Sequence, residues 1–121
     1  MSFRFDHFNF NVLDLKRSMD FYEKALNFKE VRRSEYPDCA YVFLGDGSTF
    51  FTLELTYIKN RTNAYNLGER NFHHLAIKTD DYEGSYEFHR SLGCLYSGDT
   101  TKDEYLITDP DGYIIEICRQ K

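Results

Sequence analysis

The chain has 121 residues, 41% of them apolar and 29% charged, which suits one compact domain or two small modules sharing a core and argues against disorder. A module of roughly 60 residues buries too little surface to be stable alone, so two such halves would need each other or a second chain. The net charge of -5 comes with no basic stripe, which excludes nucleic acid as the main partner, and no apolar run approaches the ~20 residues of a membrane span.

Taken in chain order, Phe5–Val12 alternates as a strand, with Phe8, Phe10 and Val12 on one face and His7, Asn9 and Asn11 on the other. Asp14 is placed to cap a helix from Leu15 to about Leu26, whose apolar positions Leu15, Met19, Tyr22 and Leu26 recur at helical spacing. Three strands are expected next, over Lys29–Tyr36, Cys39–Leu44 and Thr49–Tyr57, separated by Pro37-Asp38 and Gly45-Asp46-Gly47. The basic run Lys29–Arg33 reads as the solvated face of the first of these strands. The polar stretch Lys59–Asn71 reads as a connector. A strand over Phe72–Thr79 follows, then a helix over Tyr82–Leu92 capped by Asp80 or Asp81, with Gly93 where a left-handed residue belongs. Strands near Leu95–Thr100, Glu104–Thr108 and Tyr113–Arg119 close the chain, the last two joined by Asp109-Pro110-Asp111-Gly112.

The order of elements therefore repeats, and so do residues. At an offset of 67 (74 minus 7), His7 falls on His74, Asp14 on Asp81, Ser18 on Ser85 and Phe21 on Phe88. Each copy ends in a strand with one central acid, Glu54 between Leu53 and Leu55, and Glu116 between Ile115 and Ile117. Strand alternation turns both acids away from their apolar neighbours, and it turns His7 away from Phe8 and Phe10. The expected fold is α+β: two tandem βαβββ modules, residues 1–58 and 72–121 joined by 59–71, forming one domain with a cupped eight-stranded mixed sheet around a metal site.

Two inward carboxylates need a cation or a proton. Imidazole with carboxylate suits a borderline divalent ion such as Ni²⁺, Co²⁺, Zn²⁺ or Fe²⁺, and four protein ligands leave coordination positions open for an oxygenated substrate. The candidate metal ligands are thus His7, Glu54, His74 and Glu116. His73 and His89 are read as structural, the latter on a helix surface, and Asp14 and Asp81 as helix caps. Cys39, Cys94 and Cys118 are odd in number and lack a Cys-x-x-Cys spacing, which fits free thiols in a reducing cytoplasm.

These residues resemble the vicinal-oxygen-chelate superfamily, and within it the short bacterial glyoxalase I (lactoylglutathione lyase) group. The resemblance covers nearly the whole chain. Its sharpest elements are Asp14-Leu15-Lys16-Arg17-Ser18-Met19-Asp20-Phe21-Tyr22, Glu54-Leu55-Thr56-Tyr57, Tyr65-Asn66-Leu67-Gly68, His74-Leu75-Ala76-Ile77, and Asp109-Pro110-Asp111-Gly112-Tyr113 leading to Glu116. The family's metal ligands run His, Glu, His, Glu, matching His7, Glu54, His74 and Glu116. The resemblance implies isomerisation of a hemithioacetal of methylglyoxal and a thiol to a lactoyl thioester through an enediolate. Glu116 would be the base and Glu54 its pseudo-symmetric counterpart, with Ni²⁺ or Co²⁺ favoured over Zn²⁺. It further implies a small-molecule substrate (an α-oxoaldehyde plus a thiol), a cytoplasmic homodimer, and sites formed between modules of two chains.

Two positions depart from the pattern of members that use glutathione. Asn11 stands where they place an Arg, and Ile58 where they place an Asn. Loss of an Arg that pairs a substrate carboxylate removes a charge-assisted contact, so the identity of the thiol stays open. Three other activities share the scaffold: an epimerase, a thiol transferase and a dioxygenase. Glu54 argues against the three-ligand dioxygenases and transferases, which use one carboxylate. A non-enzymatic drug-binding protein of the same fold is the remaining alternative.

Overall fold

A computed structural model describes residues 1–68 and 73–121. The elements run β1 (His7–Val12), α1 (Leu15–Leu26), β2 (Lys29–Glu35), β3 (Cys39–Gly45), β4 (Thr52–Ile58), β5 (Leu75–Thr79), α2 (Tyr82–Leu92), β6 (Leu95–Ser97), β7 (Glu104–Thr108) and β8 (Ile114–Arg119). The expected start of the fifth strand at Phe72 lies outside the described residues. The chain divides into two compact units, Met1–Asn66 and Leu67–Lys121.

Each unit is one β-α-β-β-β motif with one four-stranded mixed sheet, ordered β1-β4-β3-β2 in the first and β5-β8-β7-β6 in the second. In both, the strand before the helix pairs in parallel with the last strand, and the remaining pairs are antiparallel. Even the irregularities correspond. The outermost strand slips its register between Glu30 and Arg32 in β2 and between Leu95 and Ser97 in β6. The sequence repeat is therefore a repeat of topology, and the α+β class with eight strands and two helices is what the chain adopts.

The helices start and stop for local reasons. The Asp14 carboxylate accepts the Arg17 N–H at 3.0 Å, and the Asp81 carboxylate, rather than that of Asp80, accepts the Gly84 N–H at 3.0 Å. Both helices end on a left-handed residue, Asn27 at φ 58° and Gly93 at φ 76°. The buried stripe of α1 is Ser18, Tyr22 and Ala25, rotated by one position from the apolar stripe read in the sequence. Small side chains on either side of Tyr22 let the backbone approach the sheet, while Leu15, Met19 and Leu26 flank the contact half-buried. Val42, Leu44, Leu53 and Leu55 form the sheet side of this core, and Tyr105, Ile107, Ile115 and Ile117 that of the second unit. Burying each of these side chains contributes roughly 1.5–3 kcal/mol.

One reading is corrected. His89, expected on the helix surface, is 3% exposed and lies 2.7 Å through Nδ1 from the Tyr105 hydroxyl. It shares the inner face of α2 with Tyr82 and Ser85, one helical turn after another, and an imidazole is buried there because the phenol satisfies it.

Candidate active site

The strand register sets one row of side chains across each sheet. In the first unit Asn9 of β1 lies opposite Glu54 of β4, which lies opposite Phe43 of β3, which lies opposite Arg32 of β2. In the second unit the row is Ala76, Glu116, Leu106 and Ser97. Facing residues in a sheet share a side, so each carboxylate stands on the face opposite its apolar flanks, as alternation requires. His7 and His74 each sit two residues before the strand partner of their glutamate, on that same face.

The geometry follows. His7 Nε2 is 4.0 Å from Glu54 Oε1, and His74 Nε2 is 3.1 Å from Glu116 Oε2. The carboxylates are mostly covered, with side chains 17% and 22% exposed, while the imidazoles are more open at 39% and 34%. Neither carboxylate is paired with a Lys or Arg of the described residues. Among those residues no three His, Cys, Asp or Glu side chains gather into a metal-binding group. Each unit instead brings together one histidine and one glutamate, and His73 takes no part in either pair.

The shells around the two pairs differ. Asp6 holds His7 Nδ1 at 2.6 Å, which leaves Nε2 as the nitrogen turned toward Glu54. That hydrogen bond from His7 lowers the Asp6 pKa below its ordinary value. His7 also meets the Phe43 ring edge-on at 5.5 Å, and the Arg32 guanidinium stacks 3.6 Å over the same ring. Glu54 accepts from the Asn9 amide at 3.0 Å. Around Glu116 the donor is the Cys118 thiol, at 2.9 Å from Oε1. Burial, then the neighbouring Glu116 carboxylate, pushes that thiol up to about 12.

The second unit also carries a cavity of about 400 Å³ lined by His74, Ser97, Gly98, Lys102, Glu104, Tyr105, Leu106 and Glu116. It has the volume of a small-molecule site, and the His74–Glu116 pair forms part of its wall. Gly98 forms part of the wall with φ 102°, and a Cβ there would stand 2.9 Å from that of Tyr105. Sequence reasoning passed over Asp6, Asn9 and Lys102. Asn9 carried a signal, since alternation placed it on the face of His7, but its contact with Glu54 depends on a strand register that sequence does not print.

Residues 4–117 match the Glyoxalase/Bleomycin resistance protein/Dioxygenase superfamily. The chain is 34% identical over 127 residues to a lactoylglutathione lyase of Neisseria meningitidis serogroup A, a match spanning 95% of this chain and 89% of the relative. It is 33% identical over 129 residues to the lactoylglutathione lyase of Escherichia coli O157:H7, spanning 95% and 91%. Among solved structures it is similar to the trypanothione-dependent glyoxalase I of Leishmania major, with a TM-score of 0.86, 31% identity, and coverage of 98% of this chain and 87% of that one.

Proposed function

The chain belongs to the Glyoxalase/Bleomycin resistance protein/Dioxygenase superfamily, and on that premise we propose that it isomerises the hemithioacetal of methylglyoxal and a thiol to a lactoyl thioester. It is a lyase of the lactoylglutathione-lyase kind by its likeness to those enzymes over most of both chains. The finer reading is metal-dependent isomerisation through an enediolate, serving methylglyoxal detoxification.

One observation carries it. Two mostly covered carboxylates, each beside an imidazole and neither ion-paired with a Lys or Arg of the described residues, occupy repeat-equivalent positions. Covered carboxylates without a counter-charge are costly. A divalent cation held by His7, Glu54, His74 and Glu116 removes that cost; the imidazole–carboxylate donor set suits a borderline ion, and the resemblance to the short bacterial group favours Ni²⁺ or Co²⁺ over Zn²⁺. When bound, such an ion supplies Lewis-acid stabilisation of the charge that develops on the substrate oxygens.

The chain's own residues do the rest. Glu116 removes the proton from the hemithioacetal carbon and returns it to the adjacent carbon, so its carboxylate is regenerated in each cycle. Glu54 is its counterpart on the other half of the repeat. Asp6 keeps His7 in one tautomer. The cavity beside His74 and Glu116 offers the Lys102 ammonium and the Ser97 hydroxyl to the substrate's polar groups.

Each unit supplies one His–Glu pair, and a homodimer in which units of two chains complete a site is the assembly this reading takes. Three free cysteines fit a cytoplasmic setting. The thiol need not be glutathione. Asn11 and Ile58 remove two groups that glutathione-using members carry, and the similar Leishmania major structure is of a trypanothione-dependent enzyme. Glu116→Gln tests the base. It is expected to lower kcat by about 10²- to 10⁴-fold with the circular dichroism spectrum unchanged. Full activity in that variant refutes the assignment.

A further inference from the structure

The two halves of the repeat match in topology, register and ligand type, but the residues beside the carboxylate in each row differ, first of all on the parallel strand. Asn9 and Ala76 are equivalent at the offset of 67 (76 minus 9), and each lies directly opposite its glutamate. Ala76 offers Glu116 nothing polar. Asn9 Nδ2 lies 3.0 Å from Glu54 Oε1 and 2.6 Å from Thr56 Oγ1, with the Glu54 carbonyl at 3.5 Å.

The orientation of the amide is fixed by chemistry. A carboxylate only accepts, so the NH₂ group and not the carbonyl must face Glu54. Its two hydrogens match two acceptors, one on Glu54 and one on Thr56, two residues apart on the same face of β4. Asn9 is thus tied at two points and has a short side chain with little freedom left. The bond to Oε1 is charge-assisted and selects one rotamer of Glu54. Across the row, Phe43 packs on the other side of Glu54 beneath Arg32, so the carboxylate is bounded on both sides. Glu116 has a different surrounding: Ala76 on one side, Leu106 on the other, the His74 imidazole 3.1 Å from Oε2 and the weak donor of the Cys118 thiol 2.9 Å from Oε1.

We infer that Asn9 is a positioning residue that clamps the Glu54 carboxylate for metal binding, so that the two pseudo-equivalent glutamates are held by different groups. The inference rests on the metal-dependent reading above. The first unit holds its carboxylate through a cross-strand amide, and the second holds Glu116 through the Cys118 thiol and the His74 imidazole.

The test compares the parent with Asn9→Ala by Co²⁺ titration of the metal-free proteins, followed by calorimetry and by the visible spectrum of the bound ion. Removing a hydrogen bond to a metal ligand typically weakens affinity about 10- to 100-fold, and that loss is expected here with an altered Co²⁺ spectrum. Asn9 is exposed, so the melting temperature of the metal-free protein is expected to stay at the parent value. Metal-free side-chain amide resonances give a second readout: the Asn9 NH₂ protons are expected to move upfield in Glu54→Ala. A parent that binds Co²⁺ and an Asn9→Ala variant that matches its affinity and spectrum overturn the clamp alone. A parent that takes up no Co²⁺ overturns the metal reading and this role with it.

Discussion

Tyr105→Phe removes a single oxygen from the core of the second unit, and the structure says what that oxygen holds. The hydroxyl is 2.7 Å from His89 Nδ1, and both residues are nearly inaccessible, at 1% and 3% exposure. Phenylalanine preserves the ring contacts with Tyr82 and Tyr86 at 5.4 and 5.3 Å, so the perturbation is the loss of the hydroxyl's hydrogen bonds to His89 and Ser85. Stranding a buried polar partner costs about 1–3 kcal/mol, which for a chain of this size lowers Tm by roughly 3–12 °C.

The same hydroxyl has a pH signature. Burial raises the Tyr105 pKa above its ordinary value of 10.0. The phenol ionises in the unfolded chain before it does in the folded one, so its contribution to stability is intact below about pH 10 and is lost as pH rises from there toward the folded value. In that window one such group steepens the loss of stability by about 1.4 kcal/mol per pH unit. Urea denaturation of parent and variant between neutral pH and pH 11 is the assay. The variant is expected to be less stable at neutral pH and to show a shallower alkaline decline. Equal stability at neutral pH, or an alkaline slope as steep as the parent's, would refute the reasoning.

Two further outcomes follow from other parts of the site. In the metal-free protein at pH 8, the half-buried Cys118 thiol, whose pKa is raised, is expected to react with iodoacetamide at least about 10-fold more slowly than an ordinary cysteine, and Glu116→Gln to speed it by removing the adjacent charge; site-resolved mass spectrometry reads both, and rapid labelling in the parent would contradict the burial argument. Gly98→Ala forces a Cβ to within 2.9 Å of the Tyr105 Cβ and 3.0 Å of its Cα, at a φ of 102° that side chains rarely adopt, and is expected to cost about 1–3 kcal/mol, read as a fall in Tm.

Much of this architecture is written in the sequence, because its signals are local or periodic. Both helix caps, the left-handed end of α2 at Gly93 and the existence of all eight strands follow from residue type and spacing, whereas the left-handed Asn27 that ends α1 was not anticipated. The misses have physical causes that lie elsewhere in the fold. The alternating pattern runs back to Phe5, but β1 begins at His7 because its partner β4 begins at Thr52. β4 in turn starts three residues later than Thr49 suggests, since the Asp46 carboxylate takes the N–H groups of Ser48 and Thr49 into a turn. The inner face of α1 includes Ser18 and Ala25 because small residues permit a close approach, and a hydrophobicity pattern does not weigh that.

The candidate site divides in the same way. Strand alternation puts His7, Glu54 and Glu116 on the faces opposite their apolar neighbours, and the register of each sheet agrees. What surrounds them was not legible. The Asp6 contact with His7, the Asn9 amide on Glu54 and the Cys118 thiol on Glu116 each depend on a rotamer or on pairing between strands distant in sequence. His89 was misplaced for a related reason: only the fold reveals a buried phenol waiting for it.

The central claim is that two histidines and two glutamates related by the repeat hold a divalent ion that the isomerisation requires. Lactoyl thioester formation from methylglyoxal and each of a set of thiols, glutathione and trypanothione among them, measured on metal-stripped protein and on the same protein reloaded with Ni²⁺, Co²⁺ or Zn²⁺, tests it most directly. Product is expected with at least one thiol, only after reloading, and most with Ni²⁺ or Co²⁺. Equal turnover by the stripped protein, or none with any thiol after every metal, would contradict it.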